Sequence, residues 1–68
     1  MSTIQELVQE YQQTLCELKQ HREELKAELN STKRNEHKYT LRRKLLCTED
    51  MITDTAYAIR LMKKYLDE

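Results

Sequence analysis

Glycine and proline are both absent from the 68 residues, as are phenylalanine and tryptophan. Without glycine there is no phosphate-cradling loop and no natural occupant for the positive-φ positions of tight hairpin turns. Without proline nothing breaks a helix by steric force. Nearly every β architecture is excluded along with them, because such folds need many short turns. Long apolar runs are missing too: the longest, Ala56-Tyr57-Ala58-Ile59, falls far short of the roughly 20 residues that cross a bilayer. The opening Met1-Ser2-Thr3-Ile4-Gln5-Glu6 has neither the basic nor the apolar region of a secretory signal, so the expectation is a cytoplasmic protein with reduced thiols. Twelve basic residues balance twelve acidic ones, which leaves no net field to favour nucleic acid or an anionic membrane.

What the chain does contain is helix formers at helical spacing. Ile4, Leu7, Tyr11, Leu15, Leu18, Leu25 and Leu29 recur three and four residues apart, with Arg22 the one polar member of the stripe. The remainder of that segment is mostly Gln, Glu, Lys and Arg, which suit a solvated helix face. Ser2 or Thr3 is placed to cap it, and Thr3 with Glu6 fits a capping box. Asn30, Ser31, Thr32 and Asn35 then cluster side chains that compete for backbone hydrogen bonds. This is the best turn site in a chain with no glycine or proline. Asn30 suits a left-handed C-cap, and Ser31, Thr32 or Asn35 suits the cap of the next helix. Helical spacing resumes with Leu41, Leu45, Thr48, Ile52, Ala56, Ile59, Met62 and Leu66. Thr48-Glu49-Asp50 could begin a separate helix, but with no breaker present one continuous helix is preferred.

The fold expected is all-α: an antiparallel, coiled-coil-like two-helix hairpin, one domain over residues 1–68. Its first helix spans about 3–30, its turn about 31–35 and its second helix about 36–66. Pairing residue x with roughly 66 − x sets Leu25 against Leu41, Leu18 against Thr48, Leu7 against Ile59 and Ile4 against Met62. The same register sets Lys38, Arg42 and Arg43 beside Glu28, Glu24 and Glu23. Leu18, Leu25, Leu41, Ile52 and Ile59 should be buried.

The second helix carries more apolar surface than one partner helix can cover. Tyr39, Leu46, Tyr57 and Leu61 form a row rotated well away from the first stripe, and Met51, Ala58 and Tyr65 widen it. A surface of that kind on so small a chain implies another protein over it. Pairing two hairpins into a four-helix bundle would cover it symmetrically. Tyr39, Leu46, Tyr57, Leu61 and Tyr65 are therefore the expected interaction residues, and a homodimer is the expected assembly.

Chemistry has little foothold. Cys16 and Cys47 are the only cysteines, and neither they nor His21 and His37 show the close ligand pairs of a zinc site. Catalysis needs a nucleophile, a base and an orienter in a water-excluding pocket, and two long helices should offer no such concavity. No metal, cofactor or small-molecule ligand is expected, and no enzymatic activity. Charge is nonetheless segregated: residues 1–30 carry net −3, residues 31–47 net +5 and residues 48–68 net −2. Lys33, Arg34, Lys38, Arg42, Arg43 and Lys44 could touch phosphates or an acidic partner, although pairing with the first helix's glutamates is favoured over that.

Two segments resemble a known family. Leu7-Val8-Gln9-Glu10-Tyr11-Gln12-Gln13-Thr14-Leu15, with Ile4-Gln5-Glu6 before it, looks like the opening of phage and prophage sigma-factor-like positive control proteins. Met51-Ile52-Thr53-Asp54-Thr55-Ala56-Tyr57-Ala58-Ile59-Arg60-Leu61-Met62 is similar to a later segment of theirs. In that family the region is an N-terminal helical module ahead of a sigma-region-4-like helix-turn-helix. The resemblance implies a Gram-positive phage or mobile-element origin and a transcription-related role inside a bacterial host. Three functions follow as expectations. One is a non-enzymatic interaction module acting as a dimeric hairpin on a larger bacterial or phage protein. A second is a small phage-encoded inhibitor that docks on a host protein. The third, and least favoured, is nucleic-acid contact through residues 33–44.

Overall fold

The computed structural model describes residues 3–67, which form two α-helices: α1 (Ile4–Ser31) and α2 (Asn35–Asp67). Thr32, Lys33 and Arg34 connect them. At 1.5 Å per residue the helices are about 42 and 50 Å long. The whole chain measures only 51 × 18 × 14 Å, so the helices lie side by side. A three-residue link between them leaves only the antiparallel arrangement. Across the hairpin His37 Nε2 sits 3.2 Å from Glu28 Oε1, a contact compatible with pairing x with roughly 66 − x.

Local chemistry explains where each helix starts and stops. Thr3 takes an extended conformation, and its Oγ1 accepts the Glu6 N–H at 3.1 Å. That is the hydroxyl half of the capping box; among the described residues Glu6 makes no return bond to the Thr3 amide. Ser2, the other cap candidate, lies outside the described residues. At the far end of α1 Thr32 is again extended, at φ −84° and ψ 141°, while its N–H donates to the Glu28 carbonyl at 3.0 Å. Ser31 Oγ donates to the same carbonyl at 3.1 Å.

The left-handed cap expected at Asn30 is not formed: no described residue has positive φ. For any residue but glycine that conformation costs about 1–2 kcal/mol, and an extended threonine ends the helix without it. None of Ser31, Thr32 and Asn35 caps α2 either. The Arg34 carbonyl accepts the Lys38 N–H at 3.0 Å, so Arg34 holds the cap position and contributes only its backbone. Glu36 in the first turn supplies the negative charge that suits a helix N-terminus.

Helix α2 runs unbroken through Thr48. Thr48 is buried, and its Oγ1 donates to the Lys44 carbonyl at 2.8 Å. A threonine that bonds back one turn satisfies its own hydroxyl inside a helix. The polar signal that suggested a new helix start is thereby internalised.

Among the described residues Val8, Leu25, Leu41, Thr48, Ile52 and Ile59 are buried. All six fall on one strictly alternating three-and-four spacing, which runs through 4, 8, 11, 15, 18, 22, 25 and 29 in α1. In α2 it runs through 38, 41, 45, 48, 52, 55, 59, 62 and 66. This is the seam of two helices packed with a 3.5-residue repeat. It corrects two expectations. Val8, not Leu7, is the buried residue of its turn, because consecutive steps of four at Leu7, Tyr11 and Leu15 leave the repeat. Leu18 is half-buried although it lies on the seam. Ile4 and Tyr11, also on the seam, remain 42% and 40% exposed because no third element covers them.

Arg22 is the misfit. It occupies a seam position, its Nε is buried without a hydrogen-bond partner, and the nearest carboxylate oxygen, on Glu23, is 3.5 Å away. Its stem covers the seam while the charge reaches outward. Two outcomes are expected in chemical denaturation followed by circular dichroism. Leu25→Ala and Ile52→Ala each lower stability by about 2–5 kcal/mol, since each empties a buried site. Arg22→Leu raises it by about 1–2 kcal/mol, because a buried nitrogen without a hydrogen bond is removed, its contact with the exposed Glu23 being weak, and an apolar side chain completes the stripe; a fall in stability would show that Arg22 holds the hairpin together.

Candidate interaction surface on α2

Seen down its axis, α2 turns Leu41, Thr48, Ile52 and Ile59 toward α1. The residues at 39, 43, 46, 50, 57 and 61 lie on the opposite side, at about 100° per residue. The structure leaves that side open. Tyr39 is 63% exposed, Leu46 63%, Tyr57 58% and Tyr65 71%, with Leu61 and Met51 also exposed. α1 shows fewer large exposed apolar side chains, and those it shows are on the edge of the seam. Charged residues interrupt the outer row: Arg43, Asp50 and Asp54 stand among its apolar members and are themselves exposed.

The basic segment behaves differently from the sequence expectation. Among the described residues, Lys38, Arg42 and Arg43 make no ion pair with Glu28, Glu24 and Glu23. Those glutamates are engaged elsewhere. Glu23 lies 3.5 Å from Arg22 and 3.8 Å from Lys26, both on its own helix. Glu24 lies 3.9 Å from His21, three residues back. Glu28 is taken by His37. His21 and Lys26 stand three residues from Glu24 and Glu23 and are held in reach by the backbone, whereas a lysine or arginine bridge from α2 must order two long side chains across the hairpin. Lys33, Arg34, Arg42, Arg43 and Lys44 are thus exposed, Lys38 is half-buried, and none has a carboxylate partner among the described residues.

The contact of His37 with Glu28 is the polar clasp between the helices that sequence reasoning missed. The signal was present, since 28 and 37 nearly obey the register, but lysine and arginine partners drew the assignment. The cysteines are free and exposed. Among the described residues no three His, Cys, Asp or Glu side chains gather as a metal site would require. No described helix is long and apolar enough to cross a membrane.

An open groove of about 470 Å³ runs along one flank of α2, bordered by His21 of α1 and by Tyr39, Arg43, Lys44, Cys47 and Met51. It is an open trough with mainly apolar walls. Cys47 takes part in no hydrogen bond among the described residues, so the groove presents a thiol with no base engaged on it. The arrangement suits packing of a side chain from another protein more than proton transfer.

The chain matches no protein-family model, and no curated protein or solved structure is detectably similar to it. The surface must be understood from its own chemistry. One consequence is measurable on the isolated chain: both members of the His37–Glu28 pair are about half exposed, so His37→Ala should cost less than about 1 kcal/mol in thermal unfolding. A larger loss would make that clasp a principal determinant of the hairpin.

Proposed function

We propose that this protein is a non-enzymatic interaction module that works through the outer face of α2. The observation that carries the proposal is the exposure of Tyr39, Leu46, Tyr57, Leu61 and Tyr65 on the side of α2 turned away from α1. Tyrosine suits such a role because it offers a large rigid apolar area while its hydroxyl stays near water. The assembly proposed is a homodimer in which two hairpins form a four-helix bundle. Among the described residues no side chain of the single hairpin is fully enclosed, and a core this thin rarely yields more than about 3–5 kcal/mol. The likeness of segments 4–15 and 51–62 to sigma-factor-like positive control proteins supports a transcription-related, phage-type setting in a bacterial cytoplasm. In that setting the dimer docks on a larger bacterial or phage protein, as regulator or as inhibitor.

A second reading is nucleic-acid contact through Lys33, Arg34, Lys38, Arg42, Arg43 and Lys44. It draws on the absence of ion pairs to these bases among the described residues. The balanced total charge and the acidic stretches on either side weigh against it.

The two are separated by sedimentation and by binding to a duplex oligonucleotide. Tyr39→Ala with Leu46→Ala is expected to weaken self-association by more than about fivefold, with helicity kept at high concentration. Duplex binding that Arg42→Ala with Arg43→Ala abolishes, and that falls steeply with salt, would instead give the second reading first place.

A further inference from the structure

Charge on α2 is arranged antisymmetrically about its most exposed leucine. Leu46 is 63% exposed. Arg42 and Arg43 stand four and three residues before it, and Glu49 and Asp50 three and four residues after it, all exposed. None of the four makes an ion pair among the described residues. Arg43, Leu46 and Asp50 fall on the outer face, within about 60° of one another, while Arg42 and Glu49 share one flank of it. Within one helix the basic and acidic members are seven residues, about 10.5 Å, apart. They point out in parallel rather than at each other.

We infer that the occupant of this face is a second copy of the chain, with α2 lying antiparallel on α2 about a two-fold axis at Leu46. This rests on the interaction-module reading above and specifies its partner and orientation. Two-fold rotation about an axis through Leu46 carries residue x opposite roughly 92 − x. The two Leu46 side chains then meet at the axis. Arg43 comes beside Asp50 of the second copy on one flank, and Arg42 beside Glu49 of the second copy on the other. Each pairing occurs twice. Beyond them Tyr39 falls level with Thr53 and Asp54 of the second copy, within reach of a carboxylate for its hydroxyl. A parallel pairing in register would set Arg43 on Arg43 and Asp50 on Asp50. Like charges laid together in that way oppose association, and the complementary order fixes orientation more than it adds affinity. The arrangement also gives Asp50, at the centre of an otherwise apolar row, a cationic neighbour.

The test is sedimentation of the full chain and two charge-reversed variants, Arg42→Glu with Arg43→Glu and Glu49→Lys with Asp50→Lys. Circular dichroism checks that each stays helical. The native chain is expected to dimerise, and each variant alone to associate at least about tenfold more weakly, since every cross-axis pair becomes repulsive. An equimolar mixture should recover a one-to-one heterodimer. The fourfold variant, whose net charge equals that of the native chain, should recover the homodimer; this separates specific pairing from attraction between oppositely charged proteins. If the native chain dimerises and both variants do so equally well, the antiparallel axis at Leu46 is wrong while the interaction-module reading stands. A native chain that stays monomeric at high concentration overturns the inference and self-association together.

Discussion

Everything in this molecule hangs on a single narrow seam between two helices. Its six buried side chains lie on a three-and-four repeat, so each sits between neighbours on the facing helix and open space at the sides. Two helices can line up such a stripe but cannot wrap it, and among the described residues no side chain is fully enclosed as a result. The short connection follows from the same constraint: with antiparallel helices in contact, three residues suffice to reverse the chain. The exposure of the outer face follows too, because α1 has only one stripe to offer and α2 has already used the side that meets it.

The polar residues admitted to the seam show how far the repeat tolerates chemistry. Thr48 is accepted because its hydroxyl bonds the Lys44 carbonyl within its own helix. Arg22 is accepted at a cost, with its stem in the seam and its Nε without a hydrogen bond, 3.5 Å from a Glu23 carboxylate oxygen. A buried nitrogen without a hydrogen bond opposes folding, whereas a back-bonded threonine is close to neutral. The seam is thus thin in apolar content and carries one unsatisfied group. A hairpin so built gains from any further burial, which is the energetic argument for a protein partner on α2.

Electrostatics separates the two helices. Three glutamates of α1, Glu23, Glu24 and Glu28, are drawn into contacts with Arg22, Lys26, His21 and His37, at 3.2–3.9 Å. What they leave behind is a set of bases on α2 between residues 38 and 44, followed closely by the acids at 49, 50 and 54. Balanced overall and divided locally, the chain presents a charge pattern that is neutral at long range and directional at short range. Such a pattern selects an orientation without drawing in polyanions from a distance.

Secondary structure and architecture were legible in the residues alone. Absence of glycine and proline, apolar spacing of three and four, and one cluster of Asn, Ser and Thr left a two-helix hairpin. Leu25, Leu41, Ile52 and Ile59 were legible as core because several successive periods agree on them. The outer row on α2 was legible both as a pattern and as more apolar surface than α1 can cover, and Thr48 was legible as a member of the inner stripe. Val8 over Leu7 was settled by folding, since adjacent apolar residues differ by a rotation that one irregular step can reverse. So were the absence of a left-handed turn at Asn30 and the meeting of His37, rather than Lys38, with Glu28. Those outcomes turn on which of several chemically adequate partners lies nearest once two backbones are fixed in space. Spacing along a chain ranks faces of a helix well, whereas competition between neighbours is settled by distances of an ångström or two that exist only in the folded pair.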